Sequence, residues 1–420
     1  MQVNSGMAET VQVKHDEVAE RINRLQQLMT QAGIHAFLVT QHVDLYYFTG
    51  SMQAGYAFIP AEGTAVFYVR RSVERAVQES AVQVRALNSL RQFRAQLEHD
   101  HPAVFGSGSG SGTGAQAVKI ATEMDVLPAS TYAKLAEVLA GSSNDCSLID
   151  GSTLVRRVRM VKSSWEIGRI EAAAQVVAEA LEAAVGIIKE GLTELELMAR
   201  IEYEIRIRGH LGLMRTRSYN MEITTGMLGS GAAAAVPSAF DGPAGGLGLG
   251  PAFPQSTSRK AIGRGEPILI DIGCCIDGYI IDQTRTAVIG SLPDDLAEAY
   301  AQAEHIIRQS EVLMRPGTSS ESIYAAALKQ AADAGLADHF MGYGINQVKF
   351  LGHGIGLEVD EWPVLAKGFG DPLEAGITLA VEPKFTFPGR GVVGIENSYL
   401  ITDTGCRPLT RSPEGLIIIP

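Results

Sequence analysis

The sequence predicts a two-part α/β chain of the α+β kind, and three observations predict it. Helical and strand periods alternate over the first 150 residues, and a second composition begins near Val158. Beyond that point two pairs of amphipathic helices each precede strands rich in Val and Ile, the pattern of an internal duplication. Domains are therefore expected over 1–157 and 158–420.

Val18, Ile22, Leu25, Leu28 and Met29 recur at helical spacing between Asp16 and Ala32, and Gly33 stops that helix. Strands are expected at His35–Thr40, Ala57–Ile59 and Thr64–Val69, with helices at Ser72–Glu79, Ser89–Glu98 and Ser130–Leu139. From Phe105 to Gly114 glycine alternates with Ser and Thr, which reads as a loop. It lacks the flanking strand, helix and lysine of a phosphate-binding loop. In the second part, helices are expected at Ser164–Lys189 and Glu194–Arg208. Gly226–Gly250 is dominated by Gly and Ala and reads as a long loop, of the kind compact domains keep for a site or a lid. Strands follow over Ile268–Ile289, helices at Asp294–Met314 and Ser320–Gly335, and strands again from Ile377 to Ile401.

Composition excludes several functions. The 420 residues carry 35 Lys+Arg against 47 Asp+Glu, a net charge of −12, which speaks against nucleic acid and anionic membrane as partners because both need a basic face. Hydrophobic residues make up 46% and charged residues 20%, as in a globular protein with a large core. No run of about 18 apolar residues and no secretory leader is visible, so a cytoplasmic address is expected. Cys146, Cys274, Cys275 and Cys406 show no C-x-x-C spacing. Adjacent Cys274 and Cys275 sit in an apolar run and read as small buried hydrophobes.

Chemistry concentrates in two apolar hairpins. Asp277-Gly278 is the dipeptide of a two-residue turn, whose positions need positive φ. A two-residue turn there places Asp271 opposite Thr284 and Asp282 opposite Gly273, so both aspartates share a face, roughly 7–8 Å apart. A turn one residue longer would separate their faces. Asp is a poor strand former, and two of them in so apolar a run need a partner. Gly273 offers no side chain to fill the space opposite Asp282. Near the C-terminus, a three-residue loop at Pro388–Arg390 would set Glu382 opposite Glu396, and a two-residue loop would separate their faces. His353 lies between glycines 352 and 354, which let backbone or ligand approach closely. Four carboxylates converging in a buried site would be driven to protonate, whereas two divalent cations balance them. Oxygen and nitrogen donors without thiolate suit Mn, Co, Fe or Zn, and two such ions can hold a bridging hydroxide for amide hydrolysis. No Gly-x-Ser-x-Gly elbow and no His-Glu-x-x-His motif supports another hydrolase chemistry.

At these residues the chain resembles the creatinase/prolidase/methionine-aminopeptidase superfamily, peptidase family M24, and within it the Xaa-Pro peptidases. The words that carry the resemblance include Gly278-Tyr279 leading to Asp282, Gly352-His353-Gly354-Ile355-Gly356, Val381-Glu382-Pro383 and Ile395-Glu396-Asn397. Gly33 to Thr40 and Leu45 to Gly50 resemble a creatinase-type N-terminal domain. The resemblance implies a pita-bread C-terminal domain with a curved, mainly antiparallel sheet. It implies a metal-ligand set of Asp271, Asp282, His353, Glu382 and Glu396: Asp271 on one ion, Asp282 and Glu396 bridging, and His353 and Glu382 on the other. Glu382 would be the proton shuttle, with His353 and Glu382 as the catalytic residues. It also implies a small-peptide substrate and a homodimer.

The departures are specific. No histidine lies between His210 and His305, so the loop around Pro237–Pro243 lacks the substrate-side imidazole of Xaa-Pro peptidases. Asp360 stands at the position of a second such histidine, and Gly394 where an arginine often precedes the last Ile-Glu. Asp360 is a salt-bridge partner or a group for a cationic substrate, and Trp362 a core residue or a stacking surface for that cation. Besides an Xaa-Pro peptidase, two alternatives therefore stand: a same-fold metal enzyme acting on a non-peptide small molecule, as a lyase or C–N hydrolase, and a non-catalytic binding module.

Overall fold

The computed structural model describes residues 12–105, 117–141 and 145–420. It divides into two compact units, Met1–Val158 and Arg159–Pro420.

The first unit is built on six strands: β1 (Ala36–Val39), β2 (Gly55–Pro60), β3 (Val66–Val69), β4 (Gln83–Ala86), β5 (Val118–Thr122) and β6 (Cys146–Asp150). They form one mixed sheet in the order β4-β3-β2-β1-β5-β6. β1 to β3 are buried along their apolar residues, and Phe58, Tyr68, Phe93, Leu97 and Leu135 close a core over one face. Helix His15–Ala32 ends at Gly33 with φ 64°, the left-handed conformation a glycine cap allows. Helix His42–Thr49 and strands β4, β5 and β6 are further elements that the sequence periodicity did not predict. The expected helix at Ser89–Glu98 opens as a 3-10 turn and runs as α-helix from Phe93 to Asp100. The glycine-serine run beyond Phe105 lies outside the described residues.

The second unit begins with helices Ser164–Val185 and Glu194–Ile207. Each is nucleated by a reciprocal capping box, Ser163 with Glu166 and Thr193 with Glu196. Strands β7 (Gly226–Ser230), β8 (Pro267–Ile276) and β9 (Tyr279–Ile289) follow, and the last strand, β17 (Ile417–Ile419), adds beside β9. Gly226–Gly250 is thus not a continuous loop. Its first five residues pair antiparallel with β8, Met227 opposite Asp271, and the next four form a helical turn. The five residues, Gly-Met-Leu-Gly-Ser, show no apolar alternation, so only the partner strand reveals this strand.

After helices Asp294–Leu313 and Ser320–Asp333 come β10 (Gly352–Ile355), β11 (Val359–Glu361), β12 (Thr378–Val381), β13 (Lys384–Phe387), β14 (Gly391–Gly394), β15 (Asn397–Ile401) and β16 (Cys406–Pro408). β11-β10-β12-β15-β16 form a five-stranded antiparallel sheet, and β13 and β14 a two-stranded ribbon. Ile306, Ile323, Leu379, Phe385, Val393 and Tyr399 belong to the main core beneath the two helices. Cys274 and Cys275 are fully buried, and burial pushes their thiols up to about 12 and about 11, so both remain apolar packing groups. Among the described residues no helix is long and apolar enough to cross a membrane.

Candidate metal centre

The β8–β9 hairpin turns at Asp277-Gly278, with φ of 52° and 92°, in the register expected for a two-residue turn. Asp271 faces Thr284 and Asp282 faces Gly273. The space opposite Asp282 is not left for an ion, however: a Cβ on Gly273 would lie 2.4 Å from Met214 Sδ, so Gly273 admits Met214.

Glu382 and Glu396 fall at an interruption in a single register. β12 pairs with β15 through Val381 opposite Asn397, and β13 pairs with β14 through Lys384 opposite Gly394. Between these ladders Glu396 leaves the ribbon and bridges to Thr284 of β9 instead, exchanging backbone hydrogen bonds with it in both directions. That crossover brings the two hairpins together. Arg285, fully buried, secures it: its guanidinium donates to Thr284 O, Glu396 O, Asn397 Oδ1, Ser412 O and Pro413 O. All five donors are used, which is how a buried guanidinium is tolerated.

The five residues converge. Ligand atoms of Asp282, His353 and Glu396 lie within 4.8 Å of one another, as do those of Asp271, Glu382 and Glu396. The glycines beside His353 serve the sheet and not a ligand. A Cβ on Gly352 would lie 2.1 Å from Ala380 O and one on Gly354 2.4 Å from Trp362 O, so they admit the flanking backbone. His353 Nδ1 donates to Gly354 O at 3.0 Å, which leaves the lone pair on Nε2, 3.9 Å from Glu382 Oε1. Burial opposes charge on the imidazole, but Asp360, Glu382 and Glu396 outweigh it and raise its pKa.

One residue at the centre was not singled out from sequence. Lys384, fully buried, donates from Nζ to Asp271 Oδ2 at 2.8 Å, Glu382 Oε2 at 2.7 Å and Glu396 Oε2 at 3.3 Å. It lies two residues beyond Glu382, so strand alternation alone puts both on one face. Burial disfavours its charge, yet the three carboxylates hold its pKa well above the usual lysine value. Burial, partly offset by Lys384, raises the carboxyls of Asp271 and Glu382. Asp282 makes no ion pair with Lys384, and burial with the Glu396 and Asp271 charges pushes it further up. The resemblance put Asp271 and Glu382 on different ions; here the ammonium draws them together.

Donor chemistry distinguishes the two groups. Glu396 is 1% exposed; its Oε2 accepts from Thr284 Oγ1 and Lys384, while its Oε1 has no hydrogen-bond partner. A buried carboxylate oxygen left without a donor, beside Asp282 and an imidazole lone pair, fits a divalent ion. The Asp271–Glu382–Glu396 group already carries a cation, the lysine ammonium, and does not fit a second metal in the same way.

Around this cluster the substrate-side residues sort differently from expectation. Asp360 Oδ1 stands 3.7 Å from His353 Nδ1, its side chain 34% exposed. Its neighbour Glu361 is buried and committed to Arg159, Lys162 and the backbone of Leu357 and Glu358. Those cations outweigh burial and hold its carboxyl down at about 2. Trp362 meets Phe369 edge-on at 5.8 Å. A cavity of about 850 Å3 is lined by Phe240, Asp241, Tyr343, Val348 and Thr386, among others. None of the five candidate ligands lines it, although Thr386 is the next residue on Lys384's face of β13.

Comparison with known proteins shows the family. The model of metallopeptidase family M24 matches residues 168–403, and that of the creatinase/prolidase N-terminal domain matches 21–161. An Xaa-Pro dipeptidase of Pyrococcus horikoshii is 26% identical over 404 residues, covering 96% of this chain and all of the relative. An uncharacterized peptidase of Bacillus subtilis, YqhT, is 27% identical over 95% of this chain and all of its own. Among solved structures, the prolidase of Pyrococcus horikoshii superposes with a TM-score of 0.75 at 26% identity, covering 95% of this chain and 100% of that one. Dipeptidase PepE of Mycobacterium ulcerans reaches a TM-score of 0.78 at 25% identity, over 98% of this chain and 100% of that one. The chain is a metallopeptidase-type enzyme and belongs to metallopeptidase family M24.

Proposed function

We propose that this enzyme hydrolyses the amide bond of Xaa-Pro dipeptides or similarly small peptides with a divalent metal, Mn, Co, Fe or Zn, at the Asp282–His353–Glu396 cluster. The observation that carries the reading is the buried, unpartnered Glu396 Oε1 beside Asp282 and the His353 lone pair, in a chain whose full-length relatives are named Xaa-Pro dipeptidases. A metal bound there supplies an activated water and polarises the scissile carbonyl. The chain's own groups supply the rest. Glu382 has its carboxyl pKa raised by burial, which suits an acceptor that takes a proton and returns it to the leaving nitrogen. His353 is oriented by its Gly354 bond, and Lys384 holds Glu382 and Asp271 in place as it donates to both. The family resemblance further supports a homodimer and a division of labour in which the N-terminal domain contributes no metal ligand, and the sequence's lack of a long apolar run supports a cytoplasmic address.

The test is a panel of Xaa-Pro dipeptides assayed with Mn or Co, with bound metal quantified in the same preparation. Hydrolysis of some members is expected; inactivity across the panel by metal-loaded protein would count against the assignment.

A second reading, a same-fold enzyme acting on a cationic non-peptide substrate, is favoured by one observation. Asp241 lines the cavity, and burial together with the nearby Asp360 charge raises its carboxyl. An acid in the cavity wall with a second acid near it suits a positively charged substrate group. Turnover of small cationic amides in preference to neutral dipeptides would support it.

A further inference from the structure

We infer that Lys384 takes the place of one of two divalent ions, so that the chain binds a single metal, held by Asp282, His353 and Glu396. The inference rests on the metal-dependent reading above and concerns the composition of that same site.

Three observations carry it. The Lys384 nitrogen sits among Asp271, Glu382 and Glu396 at 2.7 to 3.3 Å from one oxygen of each. A metal held by the same oxygens needs bonds of about 2.0–2.2 Å and would occupy the volume of the ammonium. Second, the backbone is built to admit this side chain. Lys384 pairs directly with Gly394, and a Cβ on residue 394 would lie 2.6 Å from Lys384 Cγ and 2.6 Å from Pro383 O. Any larger residue there would collide with the lysine stem and with the backbone at Pro383 O and Lys384 Cα, so β14 sends no side chain into the space the lysine stem fills. Third, the remaining donors are complementary to one ion. Lys384 makes no ion pair with Asp282, and Glu396 turns Oε2 to the lysine while Oε1 has no hydrogen-bond partner. The single carboxylate of Glu396 is thus shared between an internal ammonium and a metal. Lys384 supplies a fixed charge and hydrogen-bond donors where a second ion would supply a Lewis-acid site.

The test loads the chelator-stripped full chain with Mn(II), removes excess by dialysis, and reads Mn per chain by mass spectrometry and the Mn(II) electron paramagnetic resonance spectrum. The wild type is expected to hold one Mn per chain with the spectrum of an isolated ion. Lys384→Ala is expected to hold two, with the broadened spectrum of a spin-coupled pair. Because removing a buried cation can impair folding, two variants in the Lys384 background give an independent reading: Asp282→Asn loses the bound Mn, whereas Asp271→Asn keeps it. Two coupled ions in the wild type, none in the wild type, one in a folded Lys384→Ala, or loss of Mn from Asp271→Asn would each overturn the inference. The peptidase reading fails separately: one Mn per chain without dipeptide hydrolysis refutes that reading and leaves this one, and hydrolysis with two Mn does the reverse.

Discussion

At the scale of single residues, the site depends on how each buried charge is satisfied. Glu382 is the group positioned to move a proton, so Glu382→Gln is expected to lower kcat about 10²- to 10⁴-fold, the usual contribution of a positioned acid–base group, in protein that still folds. Steady-state kinetics on an Xaa-Pro dipeptide reads this directly. Glu361 behaves differently, because Arg159 and Lys162 consume it structurally. Truncating it takes the paired carboxylate from buried Lys162 and one of two from buried Arg159, which keeps Glu358, and Glu361→Ala is expected to cost about 3–5 kcal/mol in urea unfolding. The sign of its pH dependence follows from its position. With a folded pKa of about 2, below the ordinary value of 4.5, the folded chain binds fewer protons than the unfolded one in that interval. Its stabilisation is therefore fully present above about pH 4.5 and is lost as pH falls toward 2. Acid unfolding of Glu361→Ala should be flatter than wild type across that window.

At the scale of elements, the register of two hairpins decides whether a site exists. Inserting one residue after Gly278 would shift every side chain of β9 to the opposite face, and the expected outcome is a chain that no longer retains Mn through dialysis. Gly394→Ala is expected to destabilise by about 1–3 kcal/mol, because the new methyl meets the Lys384 stem and Pro383 O; thermal melts of the two proteins compare this. The β8–β9 register was legible because Asp-Gly selects a turn length, and turn length fixes which residues share a face. The alternative loop lengths at Pro388–Arg390 were equally legible, and the structure takes the three-residue one. What escaped were features set by distant backbone. Glycines 273, 352 and 354 make room for Met214, Ala380 O and Trp362 O, none of which is local in sequence. Strand β7 was hidden because Gly226-Met-Leu-Gly-Ser230 shows no alternation. Lys384 carries a readable signal, a charged residue two positions from Glu382 in an apolar strand.

At the scale of the whole molecule, the carboxylates that help make the chain acidic include a group of four buried together. Part of the net charge of −12 is an internal cation site, answered partly by Lys384. The site lies wholly in the unit Arg159–Pro420, so metal is expected to raise the unfolding transition of that unit and leave that of Met1–Val158 in place. At a hundredfold excess of Mn over its dissociation constant the gain is about 2.7 kcal/mol, visible by calorimetry with and without chelator. The central claim is that Asp282, His353 and Glu396 hold a catalytic metal. Anomalous scattering at the Mn edge from crystals grown with Mn(II) tests it most directly. The expected result is a peak bonded to Asp282, His353 Nε2 and Glu396 Oε1, with the Lys384 ammonium beside it; a map with no peak at those three residues would contradict the account.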